Sequence, residues 1–600
     1  MKTTLIALNA RYNHVNPAVR SLRSSVPDRD IEIVEAGIQD RPFDILGKLL
    51  RTEADYFGFS VYIWNIELVR RLTGLLRSAR PGAVIFWGGP EAGGDPQGEF
   101  ELCEDVDFIV RGEGEEIFPK ILTALDAGGL EVLGGAEIAG VNFPGESLTT
   151  AYPADVNLLP AADPGMIENI ENRIVYVEGQ RGCPYSCSYC MSSETGRLRL
   201  KRADRVLAEL AALSDAGAKL IKFVDRTFNA KADFAEEILT GLIRRYEAGN
   251  TGTRYHFEIS ADILSDSLLR LLCEAPEGLF QVEAGVQSTD PDVLKQVSRK
   301  QNTNKVLRSA SKIIESGASH VHLDLIAGLP GETLEIFTRS FNETCRLKPD
   351  MLQLGFLKLL KGTALRNAAQ RYNIRYDRCA PYEVVSNADL SAEDLTKLRI
   401  FEGVFERFYN SGRWRRLNSF ILDPERTFPP FEYYKQLVCF LSSDGAADRA
   451  LSPKKEAQLL TEFIESFFVS DERTVAAELA AADLIERREN LPDRLVTLLP
   501  GSFFPDDGEI MSLLGLDAFR EFASTAFPEL RLRSPKYLKR DLCLFRLSDR
   551  ARLAAENSRC PLPAASGTEG LRHPEETEGN KLYAAACGRI VRVIDAAASG

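Results

Sequence analysis

The chain has 600 residues and a formal net charge of −14. Its length exceeds one ordinary core and predicts three or four domains, while the acidic balance disfavours indiscriminate binding to nucleic acid or anionic lipid. No apolar run approaches the ~18 residues that a membrane helix needs, and the apolar segment 3–8 ends too early for a secretory signal. We therefore expect a cytoplasmic protein with no membrane partner.

The N-terminal part alternates short apolar runs with helix-like segments, as a parallel sheet covered on both faces does. We predict strands at 3–8, 31–35, 55–60, 83–87 and 107–110. Asn16-Pro17 is a good start for the first helix, because Asn caps it and Pro fits its first turn. Residues 1–140 are expected to form a doubly wound, Rossmann-like α/β domain whose ligand lies beyond the carboxyl ends of the strands.

Residues 141–170 are rich in Gly, Pro and Asn and are predicted to be a linker. A second alternation follows, with strands predicted at 173–178, 219–224, 254–260, 279–284, 320–326 and 351–356. Six such units predict a partial (β/α)6 barrel over 171–375, with catalytic groups at the carboxyl ends of its strands.

The last part of the chain, 376–600, is predicted to be a mainly helical domain. Residues 391–410 and 454–468 carry apolar side chains at helical spacing. Residues 556–580 have few large apolar side chains and are expected to be flexible.

Cys183, Cys187 and Cys190 form a C-x3-C-x2-C motif directly after the first predicted barrel strand. With 11 cysteines in the chain, such a triplet is expected only ~0.004 times by chance. Three thiolates on one loop can hold three irons of a [4Fe–4S] cluster and leave the fourth open to an external ligand. The alternatives are chance clustering of thiols and a structural zinc site, but the latter requires a fourth ligand nearby, and the five histidines are distant in sequence.

This loop at the end of the first strand of a six-unit βα barrel resembles the radical S-adenosylmethionine (SAM) superfamily. The resemblance implies that Cys183, Cys187 and Cys190 bind the cluster and that SAM binds the open iron. It further implies SAM contacts by Tyr189, Asp225, Glu258, Ser260, Glu283, Gln287, Gly328 and Leu329. The alternatives are a solvated carboxylate at Glu258, an ordinary turn at 328–331, and contact with substrate for Asp225 or Glu283.

A doubly wound domain ahead of such a barrel resembles the cobalamin (B12)-binding radical SAM proteins. The stretches 7–14 and 111–115 are similar to a branch of them that carries a C-terminal domain of unknown function. The resemblance spans nearly the whole chain and implies cobalamin contacts by Asn9, Tyr12, Ser60, Tyr62, Trp64, Gly88, Gly89, Glu91, Arg111, Gly112 and Glu113.

The domain lacks the D-x-H-x-x-G motif that places a histidine under cobalt, since its one histidine, His14, is followed by Val15-Asn16-Pro17. The resemblance therefore implies a cobalamin without a histidine ligand from this domain. The alternative is a Rossmann-like fold that binds a nucleotide or nothing, because Gly88-Gly89 alone is not a dinucleotide fingerprint.

The family implies an enzyme, and we favour a methyltransferase acting on an unactivated carbon. The reduced cluster would split SAM to a 5′-deoxyadenosyl radical that abstracts hydrogen, methylcobalamin would methylate the carbon, and a second SAM would restore the methyl group. Expected partners are a small-molecule, peptide or modified-nucleoside substrate and a reductant such as flavodoxin or ferredoxin.

Two alternatives stay open. The same cofactors could serve a non-methylating rearrangement, cyclisation or reduction. A metal-stabilised RNA-binding protein could use the basic runs at 197–202 and 531–540, although a solvated surface explains these runs as well.

Overall fold

The computed structural model describes residues 1–194, 197–426, 428–501, 503–504, 543–547, 551, 555, 581–586 and 589–592. The chain divides into two compact units. The first comprises Met1–Ser340 and Gln353–Leu395, and the second comprises Phe341–Leu352 and Thr396–Gly600. The predicted flexible segment 556–580 and the basic run 531–540 lie outside the described residues.

The first part of unit one is a sheet whose strands alternate with helices. Its strands are β1 (Thr3–Asn9), β2 (Ile31–Gly37), β3 (Tyr56–Ser60), β4 (Val84–Gly88), β5 (Phe108–Val110) and β6 (Val141–Asn142). Its helices are α1 (Pro17–Ser24), α2 (Pro42–Arg51), α3 (Ile66–Ala79), α4 (Pro90–Gly94), α5 (Pro96–Leu102) and α6 (Phe118–Gly135). The strand order is β2-β1-β3-β4-β5-β6, and every pair is parallel except β5–β6.

The five predicted strands of this sheet are confirmed, and neighbouring residues of one strand pack into different cores. Ile6 and Phe57 belong to one buried cluster, whereas Leu5 and Tyr56 belong to another. Because side chains alternate between the faces of a strand, both faces must be covered, as the continuous apolar runs predicted.

The start of the predicted linker is the one correction in this region. Val141 and Asn142 form β6 and pair antiparallel with β5. A two-residue strand is too short to produce a recognisable alternation of apolar and polar residues. The sequence therefore does not distinguish β6 from a loop.

The second sheet of unit one contains the six predicted barrel strands. The strands of this sheet are β7 (Ile174–Val177), β10 (Leu220–Phe223), β11 (Arg254–Ile259), β12 (Phe280–Gln287), β13 (His320–Ala327) and β14 (Met351–Phe356). Between β7 and β10 the chain forms a small hairpin of two further strands, β8 (Gln180–Arg181) and β9 (Arg199–Leu200). The helices are α7 (Ala203–Asp215), α8 (Ala232–Glu247), α9 (Asp266–Cys273), α10 (Pro291–Gln296), α11 (Thr303–Ser316) and α12 (Leu334–Cys345). The order β14-β13-β12-β11-β10-β7 leaves β7 and β14 at the two edges of an open sheet, as a partial barrel requires.

The barrel strands differ from those of the first sheet in having one polar face. In β12 the side chains of Val282 and Ala284 are buried, whereas Gln281 and Glu283, which alternate with them, are partly accessible. The same alternation runs through β13. One face therefore packs into the core and the other presents polar side chains.

Short elements follow the barrel: α13 (Ala364–Asn367), β15 (Arg375–Tyr376) and β16 (Val384–Ser386). The remaining helices are α14 (Ala392–Phe405), α15 (Arg415–Ile421), α16 (Pro430–Ser443), α17 (Pro453–Phe467), α18 (Ser470–Glu486) and α19 (Asp493–Leu498). The helical prediction for this part is confirmed. The prediction did not include the antiparallel sheet of β17 (Cys543–Leu547), β18 (Lys581–Ala586) and β19 (Arg589–Arg592).

The second unit has its own core. Phe341, Phe401, Phe405 and Tyr434 pack edge-to-face or stacked, with ring centroids 4.9–6.5 Å apart. Such contacts favour a well-defined helical core. Within the part of the chain that the structure describes, no helix is both long and apolar enough to cross a membrane.

Candidate active site

A cavity of about 770 Å³ lies where the carboxyl ends of the first sheet approach β7. Its size is in the range of cofactor-binding clefts. Part of its wall comes from the predicted linker, including Ala151, Pro160 and Ile167, which no sequence signal identified. The predicted cobalamin residues that line it are Ser60, Tyr62, Gly88, Gly89, Arg111, Gly112 and Glu113.

Two of these glycines are required by the backbone. Gly89 has φ +115°, and a Cβ there would lie 2.5 Å from the carbonyl oxygen of Val61. Gly112 has φ +95°, and its Cβ would lie 3.0 Å from the amide nitrogen of Ala151. Both turns therefore depend on the absence of a side chain, which also lets a bound group approach the main chain closely.

Asn9 and Tyr12 were predicted to contact cobalamin but are not among the residues lining this cavity. The Asn9 amide donates to the His14 carbonyl oxygen at 2.9 Å and to Glu35 at 3.1 Å. Tyr12 is 74% exposed. His14 does not line the cavity either; its Nδ1 lies 2.7 Å from the Tyr176 hydroxyl.

Trp64 and Glu91 are also absent from the cavity wall. The Trp64 ring stacks on Tyr62, with centroids 4.4 Å apart, and is 46% exposed. Glu91 is buried, accepts a hydrogen bond from the Tyr382 hydroxyl, and lies 3.3 Å from the Lys361 ammonium. Among the described residues that form the cavity wall there is no histidine.

The three motif cysteines lie on the loop after β8, and none of them forms a disulfide bond. Cys187 is buried, and its carbonyl oxygen accepts from the Cys190 amide at 3.0 Å in a tight turn. The Ser188 amide donates to the Val297 carbonyl oxygen at 2.9 Å, which fixes the loop against the barrel. Three cysteine sulfurs on one ordered loop fit the ligand set of a cluster with one open iron.

Arg299 lies next to this loop, although sequence reasoning did not select it. Its Nη1 is 3.8 Å from the Cys187 sulfur and 3.3 Å from the Tyr189 hydroxyl. Burial raises the pKa of the Cys187 thiol, while the positive charge of Arg299 acts in the opposite direction. Since Arg299 is 112 residues away in sequence, no local spacing could have revealed the contact.

The predicted SAM residues on β11 and at its end make several polar contacts. The Ser260 hydroxyl donates to Asp262 at 2.8 Å and lies 3.1 Å from the Tyr185 hydroxyl. Glu258 lies 3.3 Å from Arg226. Burial raises the pKa of Glu258, and the charge of Arg226 only partly opposes this.

Asp225 supports the backbone that leads into the cysteine loop. Its Oδ1 accepts from the Gly179 amide at 2.8 Å. Burial raises the pKa of Asp225 well above its ordinary value, although the amide groups that donate hydrogen bonds to it act in the opposite direction.

Glu283 lies 3.2 Å from the Nε2 of His256 on the neighbouring strand.

Of the remaining predicted SAM residues, Gln287 ends β12, and Gly328 and Leu329 follow β13. Gln287 has φ +66°, and its Oε1 is buried without a hydrogen-bond partner. Gly328 has φ +93°, and its carbonyl oxygen accepts from the Asn387 amide at 2.8 Å; the adjacent Leu329 is buried.

Arg181 joins the two halves of unit one. Its Nη1 lies 3.0 Å from Glu113, and its Nη2 lies 2.9 Å from Glu115 and 2.8 Å from Glu178. Burial alone would raise the pKa of Glu115, but the hydrogen bond and charge of Arg181 hold it below its ordinary value.

The basic run at 197–202 is largely neutralised in the structure. Arg199 pairs with Glu113, Lys201 lies 3.7 Å from Glu209, and Arg202 lies 2.6 Å from Asp204. These pairs favour a structural role for the run over a nucleic-acid surface.

Family models agree with this arrangement. A model of the B12 binding domain matches residues 3–122, and a model of the radical SAM superfamily matches residues 177–343. The chain combines a B12 binding domain with a radical SAM domain. A third model, described as a protein of unknown function (DUF4080), matches residues 370–498, so the resemblance identified from the sequence is confirmed.

Two curated relatives of this B12-binding radical SAM protein are methyltransferases. The chain is 28% identical over 316 residues to the 2-(S-pantetheinyl)-carbapenam-3-carboxylate methyltransferase of Streptantibioticus cattleyicolor, covering 48% of this chain and 44% of that one. It is 26% identical over 358 residues to the cobalamin-dependent radical SAM methyltransferase TokK of Streptomyces tokunonensis, covering 54% and 50%. The chain thus spans about half the length of these two relatives.

A solved structure shares the fold. The radical SAM methyltransferase TsrM from Kitasatospora setae, with cobalamin and a [4Fe–4S] cluster bound, superposes with a TM-score of 0.56 at 15% identity. The match covers 74% of this B12-binding radical SAM protein and all of the TsrM chain.

Proposed function

We propose that this protein is a cobalamin-dependent radical SAM methyltransferase acting on an unactivated carbon. The observation that carries the proposal is the position of the cysteine loop. Arg181 and Met191, which flank the loop, line the same cavity as the glycine-rich ends of the first sheet. The methyltransferases among the curated relatives support a methylating reaction.

The residues present fit the three cofactors. Three cysteine thiols on one loop suit the cluster, and a cavity with glycine turns suits a large planar cofactor. When bound, the cluster supplies the electron that splits SAM into a hydrogen-abstracting radical, and cobalamin supplies the methyl group. We assign the cluster to Cys183, Cys187 and Cys190, and SAM to the predicted SAM contacts other than Glu283, which lies against His256. Residues 1–140 would hold cobalamin, and residues 171–375 would hold SAM.

The chain's own residues would position and shield these groups. Asp225 holds the Gly179 amide and so orients the start of the cysteine loop. Arg299 directs its guanidinium at Cys187 and Tyr189, which places a positive charge beside the cluster. Apolar side chains in the cavity wall exclude water, a condition that protects a reactive radical.

We further propose a cytoplasmic location, where thiols stay reduced and a flavodoxin or ferredoxin can donate electrons. The substrate would be a small molecule, a peptide or a modified nucleoside.

The test compares the two products of SAM. Cluster-reconstituted protein, with and without bound cobalamin, is incubated anaerobically with SAM and a low-potential reductant, and S-adenosylhomocysteine and 5′-deoxyadenosine are measured by mass spectrometry. A methyltransferase forms S-adenosylhomocysteine only when cobalamin is bound, and forms 5′-deoxyadenosine in addition. If cobalamin-loaded protein forms 5′-deoxyadenosine alone, the non-methylating alternative replaces the proposal.

A further inference from the structure

Three neighbouring barrel strands place a set of metal-binding side chains on their polar face. His256 lies on β11, Glu283 on β12 and His322 on β13. Glu283 and His322 are register partners, and His256 is paired with Gln281, two residues before Glu283. The strand alternation therefore directs all three side chains to one side of the sheet.

The geometry brings one ligand atom of each side chain within reach of a shared ion. One ligand atom from each of the three residues lies within 4.8 Å of the other two. The Nε2 of His256 is 3.2 Å from Oε2 of Glu283. Two donor atoms that each lie about 2.1 Å from one ion are about 3.0–3.4 Å apart at octahedral or tetrahedral angles.

His256 supplies the independent sign that a ligand belongs here. Its side chain is 96% buried, and neither ring nitrogen has a partner with hydrogen-bond geometry. A buried imidazole without a hydrogen bond is unusual, and an ion at the site is one of the recognised explanations. The His256 and His322 rings are 5.9 Å apart, centroid to centroid, and one ring nitrogen of each lies within 4.8 Å of the other.

Charged side chains of both signs surround this group. Glu258 and Asp324 lie on the same face of the neighbouring strands and interact electrostatically with Glu283, while Lys222, Arg226 and Arg299 supply positive charge. Burial raises the pKa of Asp324 well above its ordinary value, so the case for an ion rests on the three ligand side chains themselves.

We propose that His256, Glu283 and His322 bind a divalent transition-metal ion of the zinc or iron(II) class. Two imidazoles and one carboxylate are a donor set that such ions prefer, and three protein ligands leave a coordination position for water or a substrate oxygen. The site is separate from the cysteine loop and does not depend on the proposed function. Glu283, one of the predicted SAM contacts, binds the ion in this assignment.

Zinc retention by the holoenzyme tests the proposal. Full-length protein carrying its cluster and cobalamin is incubated anaerobically with Zn²⁺ and freed of loosely bound metal, and zinc, iron and cobalt are measured by mass spectrometry. We expect one zinc per chain in the wild type, and at least a tenfold weaker affinity in Glu283→Gln and in His322→Ala. Gln281→Ala, on the same strand and face as Glu283, is the matched control and should retain zinc.

The iron and cobalt contents of each variant show whether it folds and binds its cofactors. A variant that loses zinc but keeps iron and cobalt has lost this site alone. Zinc X-ray absorption of the wild type should show only nitrogen and oxygen ligands, at about 2.0–2.1 Å. The proposal is overturned if the wild type retains no zinc, if both variants retain it with wild-type affinity, or if the spectrum shows sulfur ligands.

Discussion

Nη2 of Arg181 lies 2.9 Å from Oε1 of Glu115, and this pair connects the approach to the cysteine loop with the segment that follows β5. Glu113 adds a second carboxylate on the same guanidinium. The two carboxylates belong to the wall of the large cavity, so the ion cluster fixes that wall relative to the loop.

Replacing Arg181 should destabilise the protein markedly. Arg181→Met leaves Glu115 and Glu178 partly buried without their counter-charge, and we expect a loss of about 3 kcal/mol in the free energy of unfolding. Urea denaturation followed by circular dichroism measures it. Arg202→Met is the matched control, because Arg202 is 70% exposed and its pair should contribute less than about 1 kcal/mol. Equal losses in the two variants would contradict a special role for Arg181.

An added methyl group at Gly89 should impair cobalamin binding. The Cβ of Gly89→Ala would meet the Val61 carbonyl oxygen at 2.5 Å in a backbone conformation that alanine rarely adopts, so the cavity wall must move. We expect at least a tenfold weaker cobalamin affinity by equilibrium dialysis, with normal iron content. Gly82→Ala, where nothing lies within 4 Å of the added atom, should bind as the wild type does. Unchanged affinity in Gly89→Ala would mean that this wall is not part of the cobalamin site.

Arg299 should influence the reduction potential of the cluster. Arg299→Met removes the positive charge 3.8 Å from the Cys187 sulfur and with it a hydrogen-bond donor, so the reduced cluster is less stabilised. We expect a more negative midpoint potential in an anaerobic redox titration. Lys300→Met removes a charge from the exposed neighbour and should leave the potential unchanged. A positive shift in Arg299→Met would contradict this account.

The fold was largely predictable because its signals are local. The barrel strand predicted at 351–356 is β14 with the same bounds, and α17 differs from the predicted helix 454–468 by one residue at each end. The spacing of apolar residues indicates which face of a helix or strand is buried, and a few successive residues are enough to show that spacing. β6 is too short to carry such a signal.

The site was predictable only in part. Cysteine spacing is local, so the loop was found, whereas Arg181 and Glu113 are 68 residues apart and their contact depends on the tertiary structure. Tyr12 and Trp64 follow strand ends, which made them candidates, but both side chains are exposed and neither lines the cavity. A residue at the end of a strand lies near the site, but the direction of its side chain decides whether it lines the cavity.

The most direct measurement is electron paramagnetic resonance of anaerobically reconstituted, dithionite-reduced protein, with iron analysis of the same samples. We predict about four irons per chain, a [4Fe–4S] signal and a change in that signal when SAM is added. Cys187→Ala should lose the signal, and Cys379→Ala, which removes an exposed thiol outside the loop, should keep it. A wild-type signal in Cys187→Ala, or a wild-type spectrum indifferent to SAM, would contradict the account.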